Sequence, residues 1–218
     1  MRKLIRTYLA AAAVAAAGVG LTAAPAHADA TWTVVNGGSI TASNTGNVIA
    51  ENLTTGAVVT CTDSTANATV PNKAGGANPL GSVTGVTFAT PANPDGWCDG
   101  PGGLFVHLIP ENLPWTLEGT TYTAPETIGR LTGVKARLEA DDGCVATITG
   151  PGGGTGTVDG KYNNSTANLT VLGGTSNNLE VATVNAFCDP LLINPGDKVK
   201  LDGTYHVNQS PAPQISSP

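Results

Sequence analysis

The chain has 218 residues, of which 12% are charged and 5% aromatic, and its formal net charge is −6 at pH 7. That balance argues against nucleic acid and anionic lipid as partners. Both need clustered Lys and Arg, and beyond the first few positions the basic residues are scattered.

Arg2, Lys3 and Arg6 open the chain, an apolar run follows over 9–21, and Ala26-His27-Ala28 puts small residues at −3 and −1 of a cleavage site. Residues 1–28 therefore read as a secretory signal peptide, with a mature chain that starts at Asp29 and is released outside the cell. The apolar run is short and Ala-rich, so no membrane insertion is expected.

Past the leader, strand signals dominate. Candidate strands lie at 31–35, 48–53, 57–63, 66–70, 83–89, 104–108, 116–122, 134–139, 144–149, 156–162, 167–172, 179–187 and 199–207. The clearest is 134–139, where Val134, Ala136 and Leu138 point one way and Lys135, Arg137 and Glu139 the other. In 199–207, Val199, Leu201, Tyr205 and Val207 share a face. Gly and Pro turn signals separate the strands, and no mature segment has helical spacing with caps. The pattern predicts an all-β fold of antiparallel β-sandwich type, one sandwich or two. Residues 209–218 are rich in Pro and Ser and read as a flexible tail.

Two stretches echo each other: Ser64 begins STANATV and Ser165 begins STANLTV. Each follows a cysteine and precedes Gly-Gly, an alternating strand and a second cysteine. The echo predicts two related β halves, 29–125 and 126–208. An even number of cysteines in an oxidising compartment predicts disulfides. Equivalent cysteines in the two copies should pair equivalently, as Cys61–Cys98 and Cys144–Cys188. No two cysteines are closely spaced, which disfavours zinc, and no cofactor is expected.

Thr31-Trp32-Thr33-Val34, the strand from Cys61 to Ala66, Leu113-Pro114-Trp115-Thr116-Leu117 and Gly203-Thr204-Tyr205-His206-Val207 together resemble a group of small secreted Thr/Gly-rich β-proteins of Streptomyces and related actinobacteria. The resemblance implies location and fold and brings no mechanism.

Candidate chemistry is sparse. His107 and His206 lie in strands and read as surface or half-buried histidines. Asp141-Asp142 precedes Gly143 and reads as a hairpin tip. Gly150-Pro151-Gly152-Gly153-Gly154 is followed by no Lys-Ser or Lys-Thr and reads as a loop. Trp97 stands in a Pro/Gly loop between Asp95 and Asp99, an aromatic anchor with a polar rim, and is the binding-site candidate. The leading expectation is a secreted, non-enzymatic module that binds a partner such as an envelope glycan or protein. A small-ligand carrier with a cleft between β halves is the alternative. A secreted hydrolase is a second alternative, and it needs a His–carboxylate–hydroxyl cluster.

Overall fold

The computed structural model describes residues 31–173 and 177–218, so the expected leader and its cleavage site lie outside the described residues. β-branched side chains at alternate positions suit a pleated surface, and the described chain forms strands. They are β1 (Trp32–Val35), β2 (Gly38–Asn44), β3 (Val48–Asn52), β4 (Val58–Cys61), β5 (Asp63–Val70), β6 (Lys73–Gly76), β7 (Gly81–Ala89), β8 (Cys98–Asp99), β9 (Phe105–Glu111), β10 (Trp115–Thr123), β11 (Glu126–Ala140), β12 (Val145–Thr149), β13 (Gly156–Asn163), β14 (Asn168–Val171), β15 (Glu180–Val184), β16 (Val199–Val207) and β17 (Gln214–Ser216). Turns and loops connect them, and the helical elements among the described residues are short 3₁₀ turns. The fold is all-β and antiparallel, stapled by Cys61–Cys98 and Cys144–Cys188.

The packed layers belong to ladders that close on themselves. One runs β10-β7-β5-β2-β16-β14-β13-β11, and β11 pairs back with β10, a ring of eight. A second runs β16-β3-β4-β8-β9-β11-β12-β15. It closes through the Glu180–Lys198 bridge and the 2.9 Å bond from Val199 N to Leu179 O. Closure gives each strand of both rings a neighbour on either side, which limits free edges, although β8 meets β4 at a single pair. The rings share β11 and β16. Glu126 to Val134 of β11 serve the first ring, and Lys135 to Ala140 serve the second. A register shift between Thr132 and Val134, at Gly133 with φ +86°, marks the crossing.

Each ring draws strands from both sides of position 125. In chain order β2, β3, β4, β5, β7, β8, β9 and β10 visit the rings as first, second, second, first, first, second, second, first. The two parts of β11, then β12, β13, β14, β15 and the two parts of β16 visit them in the same order. The STANATV and STANLTV stretches do not occupy matching places in that order. Ser64 to Val70 lie within β5, whereas Ser165 to Ala167 form a turn before β14. By ring order β5 matches β13, and β14 matches β7.

A small third sheet, β17-β1-β6, caps the first ring. Trp32, Val34 and Ile215 of this cap share a core with Ile40, Val70, Leu80, Tyr162 and Val207 of the first ring and its connections. Residues 209–218 are thus not a free tail. Their one large apolar side chain, Ile215, is 8% exposed and holds β17 on β1.

Candidate binding cavity

Alternation along the strands decides what lines the first ring. In β11 Thr127, Gly129 and Leu131 line the interior, while Ile128 and Arg130 are exposed, Arg130 also bordering the cavity. In β10 Leu117 and Gly119 face inward, and in β13 Val158, Gly160 and Tyr162 do so. Register then sets three glycines side by side across adjacent strands, because Gly119 pairs with Gly129 and Gly129 with Gly160. On the β2–β5 wall Ala42 pairs with Ala66 and Ile40 with Ala68. The glycines let neighbouring groups approach closely, with the Trp32 ring filling the place beside Gly119, while the alanines of the β2–β5 wall leave space inside the ring. The result is an apolar cavity of about 160 Å³, with Pro213 and Ile215 beside it on the cap side. A cavity of roughly this size with apolar walls stays dry and can take a small hydrocarbon. The outer wall of the same strands is polar: Arg130 pairs with Asp159 at 3.7 Å and Lys161 with Glu126 at 3.1 Å. The Lys161 hydrogen bond holds the Glu126 carboxyl below the usual carboxylate range.

Buried polar groups in this ring are mostly paired. Tyr162 Oη donates to Pro213 O at 2.9 Å, and burial pushes that phenol up to about 12. Ser64 Oγ donates to Thr87 O at 2.6 Å and lies 2.8 Å from Tyr205 Oη. Thr127 differs. It lines the cavity, is 3% exposed, and its hydroxyl finds no hydrogen-bond partner among the described residues.

Comparison with known protein families, curated proteins and solved structures gives no match. The functional reading therefore rests on the geometry of this chain alone.

The second ring encloses a smaller apolar space of about 70 Å³, walled by Val59, Val106, Leu108 and Leu138, with Asp142, Asp189 and Leu192 also beside it. The buried Asp197 secures this region. It accepts from Asn52 Nδ2 at 2.7 Å and from Asn194 N at 2.8 Å, and Asn52 Nδ2 also reaches Leu192 O at 3.2 Å. Burial alone would raise the Asp197 carboxyl. Hydrogen bonds from Asn52, Asn194 and Thr54 outweigh it and hold the carboxyl below its usual value. A depressed folded pKa means its stabilisation is complete above the unfolded value of about 3.9 and is lost as pH falls through the folded pKa. Asp197→Ala is expected to cost about 2–3 kcal/mol by denaturant unfolding at pH 7, with a smaller difference from the parent chain in strong acid. An equal difference at every pH would sink this account.

The sequence-predicted site falls elsewhere. Trp97 is half-buried on the outside of the second ring, its ring stacked on His107 at 5.5 Å between centroids and 21° between planes. Asp95 and Asp99 are exposed. Asn93 Nδ2 ties the loop together by donating to Trp97 O and to Asp99 Oδ1, both at 2.9 Å. None of Asp95, Trp97 and Asp99 lines either cavity. His206 Nδ1 lies 2.9 Å from Asn168 Oδ1, and Asp141-Asp142-Gly143 forms the turn between β11 and β12. The cavity residues were not legible as a site because most of them are small or apolar and none forms a reactive cluster. The usable signal was the opposite, Gly and Ala at inward positions of neighbouring strands.

Proposed function

We propose that the protein is a secreted, non-enzymatic binding protein that carries a small apolar molecule inside its first ring. The observation that carries this reading is the apolar space of about 160 Å³ inside the ring, lined by small residues, with Ala42, Ala66 and Ala68 on one wall and Gly129 and Gly160 on another. Interiors normally fill to crystal-like density, and an unfilled apolar space costs stability. Secretion is supported by the leader-like first 28 residues and by the two disulfides, which persist in oxidising surroundings. No helix among the described residues is long and apolar enough to cross a membrane. The same reading takes 29–125 and 126–208 as an internal repeat, and the matching order of ring visits supports it. An envelope glycan or protein docking on Trp97 is less well supported, since the indole already spends one face on His107.

The test is a thermal melt with benzene and cyclohexane as probes. Ligand that binds only the folded chain stabilises it by RT ln(1 + [L]/Kd), about 1.4 kcal/mol at ten times Kd. For a chain of this size that is a rise of about 3–6 °C. Ala68→Leu should fill the cavity, keep or raise the melting temperature without ligand, and abolish the response. Melting temperatures of the parent chain that ignore both probes would refute the carrier reading.

A further inference from the structure

We infer that the second ring holds a binding site of its own, for a free small alkylammonium ion whose short branched chain enters the apolar space while Asp142 and Asp189 hold its charge at the mouth. The space of about 70 Å³ is walled mostly by apolar side chains of the ring strands. Of the residues that line it, Asp142 and Asp189 are the exposed ones, so the space meets solvent beside two carboxylates.

The Cys144–Cys188 bridge, with 4.4 Å between Cα atoms, draws their two segments together, since Asp142 stands two residues before one cysteine and Asp189 directly follows the other. Each carboxylate is oriented through one oxygen. Asp142 Oδ1 accepts from Cys144 N at 2.9 Å, and Asp189 Oδ1 from Leu191 N at 2.8 Å. Neither has an ion pair among the described residues. The described Lys and Arg pair with other carboxylates, apart from Lys73, which donates to backbone carbonyls. Glu51, a further carboxylate on the lining, is already held by Lys200 at 2.9 Å. The loops at this end, 100–104, 141–144 and 185–197, contain no Lys or Arg. The first ring differs, because Arg130 and Asp159 beside its cavity pair with each other. Charge of one sign left uncompensated at a low-dielectric cleft draws in the opposite charge. The interior is apolar and the charge sits at the opening, so the ligand's chain enters first and its ammonium stays outside. A lysine side chain, whose charge leads, does not fit that order. The space is about half the size of one that takes a benzene, room for roughly four carbons.

The experiment titrates the full mature chain with isobutylammonium at low salt and follows the backbone amides by NMR. Saturable shifts are expected at Asp142, Cys144, Asp189 and Leu192. Isobutanol, the same shape without charge, should bind about tenfold more weakly. Methylammonium, the charge without the chain, should bind at least about tenfold more weakly. Asp142→Asn with Asp189→Asn keeps the oxygens that accept from the backbone, and should weaken isobutylammonium about fivefold. Ala50→Leu places a larger side chain in the space and should abolish binding, and if that chain fails to fold the double Asn variant decides. The inference is overturned by an absence of saturable shifts, by methylammonium or isobutanol binding as well as isobutylammonium, or by an unaltered affinity in the double variant. Leucinamide binding about tenfold more tightly would assign the mouth to a peptide N-terminus and overturn the free amine. None of these outcomes touches the carrier reading, which concerns the other ring.

Discussion

Replacing Cys61 and Cys98 together by Ala is expected to lower stability by about 4 kcal/mol or more, the larger loss of the two bridges. The separations are 37 residues for this bridge and 44 for Cys144–Cys188. Loop-closure entropy alone therefore assigns each about 4 kcal/mol. Packing separates them. Cys61 and Cys98 are both fully buried and sit in one core with Val59, Val106 and Leu108. Their bridge also does the work of a missing ladder: β8 has two residues and meets β4 at the single pair Thr60–Asp99. Without the covalent link the second ring would be held between β4 and β9 by that short strand alone. Cys188, by contrast, is half-buried in a loop beside Phe187, which is 72% exposed. Denaturant unfolding of the two double-Ala variants should rank Cys61/Cys98 as the more damaging, and mild reductant should open Cys144–Cys188 first. Equal losses, or the reverse order of reduction, would show that burial around the sulfurs adds nothing to loop closure.

The pairing behind this prediction was legible in the sequence through the repeated order of cysteines and strands. The STAN motif that suggested the repeat nevertheless falls on unmatched elements, a strand in one copy and a turn in the other. Strands with large apolar residues on one face were read well. The stretch 199–207 coincides with β16, with Val199, Tyr205 and Val207 buried as expected. The strand read at 134–139 is only the second part of β11, which begins at Glu126. Its first part reads Glu-Thr-Ile-Gly-Arg-Leu-Thr-Gly, with Thr127 and Gly129 at positions where the pattern expects an apolar residue. The residues that hid this strand are the ones that hollow the ring. The same holds for β2, whose Gly-Ser-Ile-Thr-Ala-Ser-Asn gave no strand signal although Ile40 and Ala42 are buried. The strand expected over 179–187 stops at Val184, because Asn185 turns the chain by accepting Phe187 N and Val145 N through Oδ1. Closure itself could not be read. Which strands meet is set by β10 finding β7 and β16 finding β2, contacts whose partners lie far apart in the chain.

Trp32→Ala is expected to cost about 3–5 kcal/mol, the range for deleting a large aromatic from a core, and to abolish binding in the first ring. Trp32 is fully buried and belongs to β1, the middle strand of the cap, between β17 and β6. Its ring occupies the space that a side chain at position 119 would take, since a Cβ on Gly119 would overlap Cζ2 and Cε2 of the indole. The glycine thus lets the cap close on the ring, and the tryptophan closes it. Loss of the indole leaves a large hole at that junction and loosens β17, whose Ile215 lies beside the cavity. Water then gains access to a space whose value to an apolar ligand depends on being dry. Gly119→Ala attacks the same contact from the other side and should cost about 1–3 kcal/mol by overpacking. The two are directly coupled, so their losses should not add. In Trp32→Phe the smaller ring leaves room for the new Cβ and removes the unpaired indole N–H. Trp32→Phe with Gly119→Ala should therefore be more stable than the sum of the single losses predicts. Calorimetric melts of the three chains decide it: strictly additive losses would mean that the indole and the glycine do not form the contact that seals the cavity.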